Sequence, residues 1–127
     1  MTARILLVDD DDLVRDALTE LLEDGGYTVC TAGNAAAVLN HCTEGAKFGV
    51  LIADLTLAGG IEGPELATVI LQRGAAQRVL FISGHQDQRV FLIGQAGPCP
   101  VLAKPFGGRE LLSAVDAIMS GHGPSPT

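Results

Sequence analysis

Polar side chains follow four apolar segments of this 127-residue chain, each at the point where the apolar run ends. They are Asp9 and Asp10, Asp54, Ser83, and Lys104. Neighbouring carboxylates repel one another unless a cation lies among them, and an oxygen-only set suits Mg²⁺ or Mn²⁺ better than zinc. With such a metal, a lysine ammonium and a hydroxyl could orient a transferring phosphoryl group, and one carboxylate could attack phosphorus. The residue types therefore indicate phosphoryl chemistry on an aspartate.

The apolar segments themselves are typical of buried parallel strands. They are Ile5–Val8, Tyr27–Cys30, Val50–Ala53, Val79–Ile82 and Val101–Ala103. Segments with helical spacing of apolar residues alternate with them, and this alternation predicts a doubly wound, five-stranded parallel α/β sheet with helices on both faces. The carboxyl ends of parallel strands share one edge, where ligand sites form in open α/β sheets. We therefore expect the four polar positions to converge.

The predicted helices carry apolar stripes and local start and stop signals. The stripes comprise Leu13, Ala17, Leu18, Leu21 and Leu22; Leu66, Val69 and Ile70; and Leu111, Leu112, Val115, Ile118 and Met119. Asp11 and Asp12 are expected to cap the first helix, Gly25–Gly26 to end it, and Pro64 to open the third. A second, alanine-rich helix is predicted near Asn34–Cys42. The glycines and prolines in His85–Pro100 predict only a short or mobile fourth helix there.

Composition limits the remaining possibilities. The size fits one domain, predicted as residues 1–120 with a flexible tail or linker over 121–127. A net charge of −7 with 4% aromatic residues disfavours direct nucleic-acid binding. No apolar run reaches the roughly 18 residues of a membrane span and no signal-peptide pattern is present, so we expect a cytoplasmic protein without membrane insertion. The three cysteines, Cys30, Cys42 and Cys99, are odd in number and have no C-x-x-C spacing, which argues against a disulfide framework or a zinc site. We interpret them as reduced and structural.

The ordered motifs resemble the receiver domain of two-component response regulators, of the chemotaxis-regulator type. They are the run I-L-L-V-D-D-D-D, the Asp54 that follows V-L-I-A, the F-I-S-G step and the A-K-P-F step. The resemblance covers Arg4 to about Met119. It implies a flavodoxin-like fold with strand order 2-1-3-4-5.

The resemblance also assigns roles by position. Asp54 looks like the phosphoacceptor, taking a phosphoryl group from a phosphohistidine. Asp10 and Asp9 look like Mg²⁺ ligands beside Asp54, with the backbone carbonyl of Thr56 completing the protein's share, and Mn²⁺ is expected to substitute.

Further positions resemble the family's switch and tuning residues. Lys104 would pair with a phosphoryl or carboxylate oxygen, and Ser83 would bind the phosphoryl group after transfer. Pro105 would shape the lysine loop through a cis peptide bond. Thr56 and His85 resemble positions that tune phosphate lifetime, although His85 is equally well explained as a surface histidine.

Three features depart from the family pattern. The loop Leu57–Gly63 has Ala58 where proline is usual and one added residue, so we expect it to be softer. Val101 replaces the usual aromatic switch residue. The segment Gln86–Pro100 lacks the usual alanine-rich helix, and we expect it to carry more of the conformational change.

The implied partners are a sensor histidine kinase or histidine phosphotransfer protein, and a downstream protein on the face of the fourth helix, fifth strand and fifth helix. The chain would then be a signalling domain rather than an enzyme, standing alone or forming part of a longer protein such as a hybrid histidine kinase. Two alternatives remain open. One is a degenerate receiver that binds partners without phosphate, and the other is a small aspartyl phosphatase of the haloacid dehalogenase type, which would leave Asp54 idle.

Overall fold

The computed structural model describes residues 4–41, 47–55, 57, 62–84, 91–93, 97–104 and 106–120. Seven strands and four helices lie within these ranges. In chain order they are β1 (Arg4–Val8), α1 (Asp12–Asp24), β2 (Thr28–Ala32), α2 (Ala35–His41), β3 (Phe48–Asp54), α3 (Gly63–Gln72), β4 (Ala76–Ser83), β5 (Phe91–Ile93), β6 (Gly97–Cys99), β7 (Val101–Ala103) and α4 (Gly108–Met119). None of the helices in the described ranges is long and apolar enough to cross a bilayer.

Five of the strands form a parallel sheet in the order β2-β1-β3-β4-β7. Numbered along the chain, these parallel strands have the predicted order 2-1-3-4-5. The register pairs Val8 with Ala53, Asp54 with Ile82 and Ser83 with Ala103. The strands therefore end at nearly the same level, and the residues that follow them share one edge.

Alternating side chains of the strands divide the core into two halves, one on each face of the sheet. Ile5 and Leu7 pack with α1 and α4, whereas Leu6 and Val8 pack with α2 and α3. All four of these β1 residues are fully buried. Helices therefore cover both faces, as the alternation of elements predicted.

Helix α1 starts where the sequence signals indicated, and Leu18, Leu21 and Leu22 of the predicted stripe face the core, but Leu13 and Ala17 do not. Asp11 is the N-cap, and its side chain accepts hydrogen bonds from the amides of Leu13 (2.9 Å) and Val14 (3.2 Å). Leu13, which we placed in the stripe, is 82% exposed, and Ala17 is exposed as well. The cap fixes the start of the helix, and from there Val14, Leu18, Leu21 and Leu22 face the sheet.

The expected fourth helix is the main error of the sequence prediction, because no described residue between 85 and 100 is helical. In its place β5 and β6 form a short antiparallel pair, with Phe91 opposite Cys99 and Ile93 opposite Gly97. Consecutive aromatic and β-branched residues favour extended backbone, and Pro98 excludes a helix interior. Residues 86–90 and 94–96 lie outside the described ranges, so the expectation of mobility there is not tested.

Two of the cysteines fall on described strands, and both are reduced. Cys99 is buried in the core on the α2–α3 side, and Cys30 is half-buried with the Arg4 guanidinium 3.7 Å from its Sγ. Cys42 lies outside the described residues.

A half-buried tyrosine connects the start of β2 with α4 and gives a direct test of the fold. The Tyr27 hydroxyl donates to the carboxylate of Asp116 on α4, and burial, followed by this hydrogen bond and the negative charge, raises the pKa of Tyr27 from 10.0 to about 12. Tyr27 is the chain's single tyrosine and no tryptophan is present. An ultraviolet titration should therefore show one phenol with a pKa of about 12 in the native protein and about 10 in urea.

The sign of the effect on stability follows from linkage. Because the folded state binds the phenol proton more tightly, the contribution of Tyr27 is complete below pH 10 and is lost as the pH approaches 12. Asp116→Asn should lower the native pKa only part of the way, since burial is the larger cause. Equal phenol pKa values in the native protein and in urea would show that Tyr27 is not packed as described.

Candidate functional site

Backbone hydrogen bonds between the strand ends build the platform of the site. The Leu55 amide donates to the Ile82 carbonyl (2.8 Å), the Lys104 amide to the Ser83 carbonyl (2.7 Å), and the Asp9 amide to the Ala32 carbonyl (3.2 Å). These bonds extend the ladder by one residue beyond the apolar strands. Asp9, Asp54, Ser83 and Lys104 consequently lie at the carboxyl edge of the sheet, as predicted.

At this edge the Lys104 ammonium contacts two carboxylates. Its Nζ lies 3.2 Å from Oδ2 of Asp54 and 3.4 Å from Oδ2 of Asp9. The Asp9 carboxylate is buried, that of Asp54 is 14% exposed, and the Lys104 side chain is 27% exposed. The three charges are thus largely shielded from water, while Asp54 remains accessible from one side.

The pKa values of Asp9 and Lys104 are both raised, and in each case burial and the neighbouring charges make opposing contributions. Burial raises the pKa of Asp9, although a hydrogen bond from the Asp11 amide and the charge of Lys104 partly offset it, and the charge of Asp54 adds to it. Burial also disfavours the Lys104 ammonium, but Asp54 and Asp9 outweigh this and raise the pKa of Lys104. The lysine is therefore held in its charged form, and a further cation nearby would stabilise the anionic form of Asp9.

The remaining predicted residues differ in how far the structure describes them. Ser83 is buried and Asp10 is exposed. Val101 is half-buried in β7, opposite Phe81, and packs against the core on the α2–α3 side. Thr56, His85 and Pro105 lie outside the described residues. Of the loop at Leu57–Gly63, only Leu57, Glu62 and Gly63 are described, and Leu57 is buried.

The donor set at this edge fits a hard divalent cation. Within the described ranges, no three acidic, histidine or cysteine side chains are grouped closely enough to hold a metal by themselves. Mg²⁺ in phosphoryl-transfer sites is commonly held by one or two carboxylates together with waters and phosphate oxygens. Asp9 and Asp54, with Asp10 next to Asp9 in the chain, meet that requirement.

Gly63 is a site residue that the sequence reasoning did not single out. A Cβ atom added to Gly63 would lie 2.3 Å from the carbonyl oxygen of Asp54 and 3.1 Å from Cα of Leu55. The Gly63 amide also donates to the Leu55 carbonyl (3.0 Å). The first turn of α3 therefore packs directly against the backbone that carries Asp54. The only signal in the sequence is a glycine at the helix start, just before Pro64.

This parallel sheet, with a lysine and two aspartates at its carboxyl edge, defines a doubly wound α/β domain with a charged site at the strand ends. Residues 5–116 match the family model of the response regulator receiver domain. The chain therefore belongs to the response regulator receiver domain family of two-component signalling systems.

Individual relatives agree with this assignment. The chain is 34% identical over 114 residues to the transcriptional regulatory protein FixJ of Azorhizobium caulinodans, an alignment that covers 89% of this chain and 53% of that protein. Across the curated relatives it matches first, the chain spans about half of their length.

Solved structures match over nearly the whole chain. A CheY-like receiver domain protein from Methanospirillum hungatei JF-1 has a TM-score of 0.78 and 26% identity, covering 96% of this chain and 97% of that one. A receiver domain protein from Clostridium thermocellum has a TM-score of 0.80 and 26% identity, covering 94% and 95%. The flavodoxin-like fold is thereby confirmed.

The contact at Gly63 predicts that Gly63→Ala perturbs Asp54. Because the new methyl would meet backbone rather than a flexible side chain, we expect a folded protein that is less stable by about 1–3 kcal/mol. Urea unfolding followed by circular dichroism measures this. Gly84→Ala is the matched control, since a Cβ there would have no atom within 4 Å. Equal losses in the two variants would contradict a specific contact at Asp54.

The ion pairs of Lys104 predict a cation dependence of stability. Lys104→Met leaves the carboxylates of Asp9 and Asp54 without their shared cation. We therefore expect the free energy of unfolding of the metal-free protein to fall by about 1–3 kcal/mol. A fully buried pair would lose more, because solvent screens part of the charge here. Millimolar Mg²⁺ should restore more stability to this variant than it adds to the wild type. Lys47→Met, at the only other lysine, is the control, because Lys47 is exposed and its ammonium donates to the Gly74 carbonyl. A Lys104→Met protein as stable as this control would argue against the pairing.

Proposed function

We propose that Asp54 is the phosphoacceptor of a phosphorelay, taking its phosphoryl group from a phosphohistidine on a sensor histidine kinase or a histidine phosphotransfer protein. The observation that carries this proposal is the Lys104 ammonium lying between the carboxylates of Asp54 and Asp9 at the carboxyl edge of the sheet. A cation already placed beside the attacking carboxylate is suited to the negative oxygens of the incoming group.

In the transfer step, a carboxylate oxygen of Asp54 attacks phosphorus in line with the phosphorus–nitrogen bond. That bond breaks, its electron pair goes to the imidazole of the donor, and an acyl phosphate forms on Asp54. Lys104 would pair with an oxygen of the phosphoryl group, and the Ser83 hydroxyl would donate to another. Ser83 ends β4 and Lys104 follows the adjacent strand β7. The hydrogen bond from the Lys104 amide to the Ser83 carbonyl joins the two residues.

We further propose that the reaction depends on Mg²⁺, with Mn²⁺ as a substitute. Asp9 and Asp10 would hold the ion beside Asp54, with the Thr56 carbonyl as a further ligand. When bound, the ion would supply the positive charge that neutralises the transferring group. The buried Asp9 carboxylate, whose pKa burial raises, supports this proposal because a neighbouring divalent cation would stabilise its anionic form.

The output would be a changed protein-interaction surface, in a non-enzymatic signalling role. The face proposed from the sequence needs revision, because β5 and β6 replace the expected fourth helix in the described residues. We propose a downstream partner on the surface formed by β5, β6, β7 and α4. The bond from the Phe81 amide to the Pro100 carbonyl (2.9 Å) joins β4 to the start of this surface.

Several finer assignments remain predictions. They are the tuning roles of Thr56 and His85, the switch role of Val101, the loop-shaping role of Pro105, the domain limits 1–120 and 121–127, and the cytoplasmic location. The chain spans about half the length of the curated relatives that it matches first. Its role as a stand-alone protein or as part of a longer one, such as a hybrid histidine kinase, is therefore also a prediction.

Intact mass spectrometry after incubation with acetyl phosphate tests the proposal. Wild type should gain one phosphoryl group in Mg²⁺ and none in excess chelator, and Asp54→Asn should gain none in either condition. Asp24→Asn is the matched control, because it removes one exposed carboxylate at the far end of α1, outside the proposed site, and should still be labelled. Beryllofluoride should give the same pattern.

Two outcomes would redirect the interpretation. No adduct on the wild type under any condition would favour a degenerate, phosphate-independent receiver. Steady turnover of a phosphomonoester that survives Asp54→Asn would favour an aspartyl phosphatase.

A further inference from the structure

Arg15 makes two contacts at the acidic turn that none of the roles assigned above uses. Its Nη1 donates to the backbone carbonyl of Asp9 at 2.7 Å, and its Nη2 pairs with the carboxylate of Asp12. The side chain is 19% exposed. It therefore lies mostly within the protein, although it begins on a helix whose first turn faces solvent.

These contacts complete the set of partners around Asp9. The Asp9 amide donates to the Ala32 carbonyl, Oδ1 accepts from the Asp11 amide (2.9 Å), and Oδ2 faces Lys104. The Asp9 carbonyl lies just beyond the end of β1 and accepts from Nη1 of Arg15. The orientation of the buried carboxylate thus depends on a peptide group that the guanidinium fixes from α1.

The planar guanidinium suits this task because its fork of donors can hold two acceptors at a fixed angle. Nη1 donates to the backbone carbonyl of Asp9, where the turn begins. Nη2 donates to the carboxylate of Asp12, the first residue of α1. The Arg15 amide also donates to the Asp11 carbonyl (2.9 Å). Arg15 consequently clamps both ends of the segment Asp9–Asp12.

A second observation shows that space is reserved for this side chain. A Cβ added to Gly33, the residue after β2, would lie 3.1 Å from Nη1 of Arg15. Gly33 has no positive φ that would otherwise require glycine. The guanidinium therefore lies against the backbone where β2 leaves the sheet, between the ends of β1 and β2.

We propose that Arg15 is a positioning residue for the acidic pair: it fixes the turn from which Asp9 and Asp10 present their carboxylates to the metal. This inference rests on the proposed metal dependence, and it deepens it by naming a residue outside the ligand set. It also predicts the direction in which the cation affinity changes when Arg15 is removed. Removing a positive charge near a cation site should tighten cation binding by electrostatics alone, whereas losing the clamp should weaken it.

The experiment compares Arg15→Gln with Arg73→Gln, which removes the same charge from an exposed residue at the end of α3. In metal-free protein, amide exchange measured by NMR should be faster at Asp11 in Arg15→Gln, by about tenfold or more, and unchanged in Arg73→Gln. Mg²⁺ affinity measured by calorimetry should fall about tenfold in Arg15→Gln, the lower end of the usual effect of losing a group that orients a metal ligand. Thermal unfolding of both variants checks that they are folded.

Two further variants keep the inference testable if Arg15→Gln is poorly folded. Arg15→Lys retains the charge but not the two-armed fork, so it should recover only part of the Mg²⁺ affinity. Gly33→Ala, which touches no proposed ligand, should weaken Mg²⁺ binding in the same direction by displacing the guanidinium.

The inference would be overturned if Arg15→Gln bound Mg²⁺ as tightly as Arg73→Gln, or more tightly, with unchanged exchange at Asp11. Failure of the proposed function gives a different result, because the wild type itself would then bind no Mg²⁺. In that case the exchange of Asp11 in metal-free protein still decides whether Arg15 holds the turn.

Discussion

A single ammonium shared by two carboxylates is the interaction on which the arrangement of this edge depends. Lys104 follows β7, Asp9 follows β1 and Asp54 is the last residue of β3. The contact therefore joins the carboxyl ends of three different strands of the sheet. With neighbouring strands about 4.8 Å apart, the lysine must reach across the end of β4. That strand ends in Ser83, whose short side chain is compatible with such a crossing. Parallel pairing in matched register is what brings the three charges within reach of one another.

The same cluster is costly for folding and useful for chemistry. A buried Asp9 beside a second carboxylate disfavours the ionised state, and one lysine compensates only part of that charge. A site balanced in this way has affinity for an additional cation, and, once that cation is present, for an anionic group. Replacing the cluster with apolar side chains would favour stability but remove this property. The cap formed by Asp11 and the contacts of Gly63 and Arg15 hold the charged residues in place without adding charge of the same sign inside the core.

The sequence was sufficient for the features that depend on local composition and on parallel topology. Short apolar runs located all five parallel strands, and the rule that their carboxyl ends share an edge placed Asp9, Asp54, Ser83 and Lys104 together. It failed where periodicity is ambiguous: Phe91–Ile93 is consistent with either a buried helix turn or a strand, and the structure shows a strand. It also missed contacts that only the folded backbone creates, such as the approach of Gly63 to Asp54 and of Arg15 to Asp9.

The pair β5–β6 has a physical consequence for how a change at the site would spread. A two-stranded ladder of three residues each is only marginally stable by itself, so little free energy is needed to rearrange it. It is anchored to the sheet at the Phe81 amide, two residues before Ser83, and the Ser83 carbonyl accepts from Lys104. Ser83 therefore lies between the proposed phosphoryl site and the β5–β6 pair. A fourth helix packed along the sheet would resist such a movement more strongly, so a short ladder at this position places an easily rearranged element next to the proposed switch.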